Sequence, residues 1–178
     1  MCAIELEPVI TTQRLRLRKP RRSDAAQLAT YANDFDVARM TTAMPYPYGV
    51  DHAEGFLEKA SEADPASEAV FVIDHPEHGA VGVLGFHTQD GGECEIGYWL
   101  GRPHWGEGFA TEAAQGALVW AHQAWGRRYM RAGHFADNPA SGQVLCKAGF
   151  LYTGDVELRS SVARGGRATP TRMMVWLA

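Results

Sequence analysis

The stretch Tyr98-Trp99-Leu100-Gly101-Arg102-Pro103-His104-Trp105-Gly106-Glu107-Gly108-Phe109-Ala110-Thr111 constrains the fold more than any other. A strand ends in it, a glycine-bearing turn follows, and a long helix begins. Such a turn presents unpaired backbone N–H groups at the positive end of a helix, where phosphates bind. Small residues at 106, 108 and 110 let an anion approach the backbone closely. The same two glycines also suit a tight turn with no ligand. The helix predicted over 108–125 places Phe109, Ala113, Ala117, Ala121 and Ala124 on one side. At 1.5 Å per residue it spans about 27 Å, enough to cross a small sheet, and Gly126 stops it.

Three phosphate motifs compete for a strand–turn–helix. The P-loop needs a lysine and then Ser/Thr after its final glycine, and no such pair is present. The dinucleotide fingerprint needs Gly or Ala at position 111, which is Thr, and an acid about 20 residues on, where the next strand has none. The third is the acyl-CoA turn, Arg/Gln-x-x-Gly-x-Gly/Ala.

Leu15-Arg16-Leu17-Arg18 alternates apolar and basic, the period of a half-buried strand, which Pro20 ends. Ser23-Asp24 predicts a helix cap before Ala25, Leu28 and Ala29. Two prolines and a glycine make 45–50 a loop, and 51–62 reads as a helix resting on Phe56 and Leu57. Strands are predicted over 69–73, 81–86 and 93–100, the last after the turn Asp90-Gly91-Gly92. A strand over 129–135 precedes a short helix that Asn138 caps, Pro139 opens and Gly149 closes, with Phe150 packing back. Two more strands, near 151–158 and 172–177, flank Gly165-Gly166. The order β-α-α-β-β-β-α-β-α-β-β predicts an α/β sandwich with a mixed sheet, one domain over 1–178.

Apolar residues make up 46% and charged residues 21%, which excludes disorder, a collagen repeat and a coiled coil. No apolar run nears the roughly 20 residues of a membrane helix. The opening residues lack the basic and apolar regions of a secretory signal, so a cytoplasmic protein is expected. Cys2, Cys94 and Cys146 are too scattered for a disulfide framework and read as free thiols. A net charge of −4 argues against general nucleic-acid binding. Its distribution is uneven: residues 24–77 hold eleven acids against Arg39 and Lys59. A solvated face is the default meaning of such a block, and steering of a cationic ligand is the functional one.

Trp105-Gly106-Glu107-Gly108-Phe109-Ala110-Thr111-Glu112-Ala113 resembles the pyrophosphate-binding turn of the GNAT superfamily of N-acetyltransferases. Within it, the branch of ribosomal-protein N-terminal acetyltransferases is the nearest match. Thr12-Gln13-Arg14-Leu15-Arg16-Leu17-Arg18 resembles that branch's opening strand, and Glu95-Ile96-Gly97-Tyr98-Trp99-Leu100 its central strand. Asn138-Pro139-Ala140-Ser141 and Val144-Leu145-Cys146-Lys147-Ala148-Gly149-Phe150 resemble its Asn-x-x-Ser helix. Trp105 stands where the wider superfamily has Arg or Gln, though this branch often has an aromatic there.

The resemblance implies a GNAT fold, with a largely antiparallel mixed sheet, splayed central strands and flanking helices. It also implies acetyl-CoA as co-substrate, no metal, and direct acetyl transfer to an amine on a peptide, a protein or a small cationic molecule. The alternatives are a non-catalytic acyl-CoA-binding module of the same fold and, more remotely, a dinucleotide-binding oxidoreductase. A homodimer stays open, and neither nucleic acid nor membrane is expected as partner. The turn 105–111, a backbone N–H at Trp99 or Leu100, and Asn138 are implied to hold acetyl-CoA. Arg102 or Lys147 could serve its 3′-phosphate.

Acetyl transfer needs a neutral amine, a polarised thioester carbonyl and a proton for the leaving thiolate. Ser141 is the expected proton donor, against a plain polar residue in a first helical turn. Glu95 is the expected base, direct or through water, against a surface carboxylate. His87 is the reserve base and Tyr152 the reserve acid. Asp74-His75-Pro76-Glu77-His78 offers metal-binding atoms, but its proline makes it a turn with no distant partner set. Cys146 reads as a buried, inert thiol, and Trp120 and Trp125 as core residues on the long helix.

Overall fold

A computed structural model describes residues 8–89 and 92–178. In chain order they form β1 (Ile10–Thr11), β2 (Arg16–Arg18), α1 (Ala25–Ala32), α2 (Phe35–Ala38), α3 (Val50–Glu62), β3 (Glu68–His75) and β4 (Gly79–Thr88). Next come β5 (Cys94–Leu100), α4 (Phe109–Gln123), β6 (Tyr129–Phe135), α5 (Pro139–Lys147), β7 (Leu151–Ser160) and β8 (Ala168–Leu177). The strands join one sheet in the order β1-β2-β3-β4-β5-β6-β8-β7. Neighbours run antiparallel except β5 and β6, which are parallel.

Strand periodicity decides which helix covers which face. In β3, Phe71 and Ile73 point toward α4, where Ala113, Ala114, Ala117, Leu118 and Ala121 close the larger core cluster. Val72, between them, points the other way, into a cluster with Leu28 and Ala29 of α1 and Ala53 and Leu57 of α3. Small residues along α4 let it lie close on the sheet. The mixed, largely antiparallel sheet between helices is the predicted architecture. Two short elements, β1 and α2, are additions; two and four residues are too few to show a period.

Four local expectations need correction. Ala124 is exposed, because α4 has ended before it, and Trp125 lies past the helix, stacked on Trp120 at 5.7 Å. Cys146 is exposed rather than buried; α5 turns Gly142 and Leu145 inward, and position 146 falls about a hundred degrees round from Leu145. Cys94 is the buried thiol. Asp24 does precede α1 but makes no side-chain cap. The expectations for 1–7, Cys2 among them, and for the Asp90-Gly91 part of its turn fall outside the described residues.

The Asp24 carboxylate instead takes two N–H bonds from buried Arg18, at 2.8 and 2.9 Å, and one from the Arg21 amide at 2.8 Å. Arg18 also donates to Asp74 at 3.0 Å. Burial alone would raise the Asp24 carboxyl, but the Arg18 and Arg21 donors outweigh it and hold the group below its ordinary value. The contribution is therefore present above the ordinary carboxylate range and lost as pH falls through the depressed value. Asp24→Ala leaves a buried guanidinium short of a partner and is expected to cost about 3–5 kcal/mol. Urea unfolding at pH 7 and pH 3 checks both statements: the gap between variant and parent narrows in acid.

Candidate active site

The parallel pair β5 and β6 meets at a single register, Glu95 opposite Arg131. No further pair forms between them toward Leu100 and Phe135, so the sheet opens as a crevice in its middle. Its two sides differ. Ile96, Tyr98 and Leu100 face α4, whereas Glu95, Gly97 and Trp99 face the side of α1 and α3. A Cβ built on Gly97 would meet nothing within 4 Å, so that side of the crevice is open at its mouth.

On the α4 side, Tyr98 reaches from β5 to the first turn of α5. Its Oη lies 2.9 Å from Ser141 Oγ and donates to the Ser141 carbonyl at 3.1 Å. Burial pushes the Tyr98 phenol well up, so it stays protonated. Asn138 Oδ1 accepts the Ser141 amide at 3.3 Å, which fixes the start of α5 and the serine on it. Sequence reasoning does not single out Tyr98. Its only signal there is the alternation with Ile96 and Leu100 that turns it toward α5.

The glycine turn continues β5. Gly106 and Gly108 both have φ of +80°, in the left-handed region that glycine adopts without strain. The amides of Gly106, Glu107 and Gly108 donate to no group among the described residues. Those of Phe109, Ala110 and Thr111 open α4, where an α-helix supplies no acceptor. Trp105 donates its indole N–H to the Leu100 carbonyl at 2.9 Å, fastening the turn to the end of the strand. Phe109 is buried in the core, which leaves its backbone alone for a ligand.

Arg14 is the residue that sequence reasoning most plainly misses. Its Nη1 donates to the Glu107 carbonyl at 2.9 Å and its Nε to Glu112 at 2.7 Å, with the guanidinium over the Phe109 ring. Glu112 also accepts from Thr12 Oγ1 and the Arg14 amide, both at 2.6 Å. Two segments nearly a hundred residues apart thus clasp each other at the turn. Burial alone would raise the Glu112 carboxyl; the Thr12 and Arg14 donors outweigh it and keep it ionised.

Glu95 sits at the closed end of the crevice, where Arg159 of β7 grips both its oxygens. Arg159 also holds Glu157, which in turn holds Arg131. His87 lies opposite Glu95 across β4 and β5 but pairs with Glu68 at 2.6 Å. Tyr152 is not brought to the crevice: it bonds His134 at 2.9 Å against the Gly142 face of α5. Arg102 is paired with Asp34 at 2.7 Å, and Lys147 lines a separate cavity beside Tyr152. His75 and His78 stack at 4.6 Å, and among the described residues no group of three or more His, Cys, Asp or Glu is arranged to hold a metal.

Nine of the eleven acids in the block fall into two groups. Asp24, Asp34, Asp36, Glu68 and Asp74 are consumed by Arg18, Arg39, Arg102 and His87. Asp51, Glu54, Glu58 and Glu62 lie exposed on α3.

Residues 14–151 match the acetyltransferase (GNAT) domain family. The chain belongs to the GNAT acetyltransferase family. An uncharacterized N-acetyltransferase, p20, from Bacillus licheniformis is 30% identical over 147 residues, 80% of this chain and 82% of that protein. The GNAT fold recurs in Mycobacterium smegmatis RimJ, solved with a CoA-disulfide. Its TM-score is 0.82 at 22% identity, over 97% of this chain and 88% of that one. Spermidine N-acetyltransferase from Vibrio cholerae, solved with CoA and spermine, gives 0.75 at 20% identity over 92% and 95%. The GNAT family match spans both the glycine turn and the Ser141 helix.

Proposed function

We propose that this GNAT protein transfers an acetyl group from acetyl-CoA to a primary amine by direct attack in a ternary complex. The observation that carries the reading is the crevice between β5 and β6, with free amides at one end of β5 and Ser141 on its wall. The turn 106–111 takes the pyrophosphate, and the Leu100 N–H on the unpaired edge of β5 faces the thioester, whereas strand alternation turns the Trp99 N–H to β4. Asn138 stands beside the pantetheine arm. The amine enters from the α1 side, where Gly97 leaves room. As its nitrogen bonds to the carbonyl carbon and the C–S bond breaks, the thiolate takes the Ser141 Oγ proton, and Oγ is reprotonated at once from solvent water. Tyr98, kept protonated by its burial, holds that Oγ in line.

The amine's own proton leaves through water to Glu95. Arg159 fills one lone pair on each Glu95 oxygen and leaves a second available. Glu95→Gln is expected to lower kcat/KM about a hundredfold at pH 7. The deficit shrinks as pH rises and more of the amine is already neutral, which a pH profile of both proteins reads directly. A pH-independent deficit would remove Glu95 from proton transfer.

Neither described cysteine suits a covalent relay: burial pushes the Cys94 thiol up, and Cys146 sits on the outer face of α5. Incubation with acetyl-CoA and a panel of amines, followed by thiol release and mass measurement of product, tests the proposal. Acetyl-CoA binding with no amine turned over would leave the non-catalytic binding module, and a turnover-competent acetyl-cysteine would overturn direct attack.

A further inference from the structure

At the end of β6 where the crevice opens lies a cavity of about 480 Å³. Its wall runs from Ala136 and Asp137, which join β6 to the Asn138 cap of α5, to the segment before and into β8. That position puts it within the reach of an acceptor whose nitrogen lies at the thioester. The lining is basic: Arg39, Arg164 and Arg167 against Asp137.

These groups are not equivalent. Arg164 is fully engaged, with two bonds to Asp137 at 2.8 and 3.0 Å, a third to the Arg39 carbonyl at 2.7 Å and its guanidinium over the Phe135 ring. Arg39 is shared between Asp36 at 2.9 Å and Asp137 at 3.9 Å. The Asp137 carboxyl is held below its ordinary value by the Arg164 bonds, so it stays ionised and its charge is already neutralised. Arg167 is exposed and has no carboxylate partner among the described residues. The cavity thus carries one uncompensated positive charge, next to the apolar surface of Phe35 and Pro170.

Resting on the acetyl-transfer reading, we infer that this cavity selects acceptors bearing an anionic group, a carboxylate or a phosphate, a few bonds from the reacting amine. Arg167 supplies the contact, and the Arg39–Asp137–Arg164 set holds the wall that presents it.

Acceptors that share a skeleton and differ in the anionic group test this, with rates referred to the neutral-amine fraction of each: tyrosine, tyrosinamide and tyramine for a carboxylate, O-phosphoethanolamine and ethanolamine for a phosphate. The anionic member of at least one series is expected to show about tenfold higher kcat/KM than its neutral or cationic congener, falling with salt. Arg167→Gln is expected to flatten that ranking and Arg167→Glu to invert it, with both variants melting near the parent because the side chain is exposed. Glu58→Gln, on the outer face of α3, serves as the unaffected control. Transfer with no charge preference, or a preference that survives Arg167→Glu, overturns this inference and leaves acetyl transfer standing. No transfer to any amine, with acetyl-CoA still bound, overturns both.

Discussion

Ser141→Ala is expected to lower kcat by about a hundredfold or more while acetyl-CoA binds as before, because general-acid assistance to a leaving group acts mainly in the transition state. The alanine keeps the helix: the capping bond from Asn138 goes to the Ser141 amide, not to its hydroxyl. What is lost is the Oγ at 2.9 Å from Tyr98 Oη. Tyr98→Phe separates donor from orienter. If Ser141 gives the proton and Tyr98 aligns it, the phenylalanine variant falls less than the alanine one, and the double variant falls no further than Ser141→Ala alone. Stopped-flow measurement of thiol release, with calorimetric titration of CoA, reads both. A Ser141→Ala enzyme at full rate would hand the acid role to another group.

Gly108→Asn is expected to raise the Kd for CoA at least about tenfold without unfolding the protein. Asparagine tolerates the left-handed backbone that Gly108 adopts, whereas a β-branched residue there would add strain of its own. A Cβ at this site meets only Arg14 Nη2, at 3.4 Å, so the protein itself has room. Any loss of affinity then reports on the space a pyrophosphate needs against the N–H groups of the turn. A melting temperature within a few degrees of the parent, together with unchanged CoA affinity, would move the phosphate site elsewhere.

The strands and helices with a clean period are legible in the sequence alone. The 129–135 strand and the Asn138-Pro139 helix start stand where local chemistry puts them, because a cap and a proline act within one turn. The turn is equally readable, since its glycines and the helix after it are contiguous. Pairings across the chain are not. Nothing near Asp24 says that its carboxylate will turn back to Arg18 rather than cap α1. Arg14 reads as one more basic residue on an edge strand until the fold brings it to Glu107 and Glu112. The acidic run is legible only in part for the same reason: a charge count cannot distinguish carboxylates already bound by arginine from those free to meet a ligand. Arg159 over Glu95 belongs to this class too, joining β7 to β5 across 64 residues.

The clasp between Arg14 and the turn ties the amino-terminal edge of the sheet to the proposed nucleotide site. Thr12 and Arg14 order Glu112 and the Glu107 carbonyl, so whatever frays that edge also loosens the loop proposed to meet the phosphates. The coupling runs in both directions, as thermodynamic linkage requires. If the turn holds CoA as proposed, amide exchange around Leu15, whose N–H bonds Thr12 Oγ1, is expected to slow when CoA is present. Trimming the chain ahead of β2 is therefore expected to weaken cofactor retention from the far end of the fold.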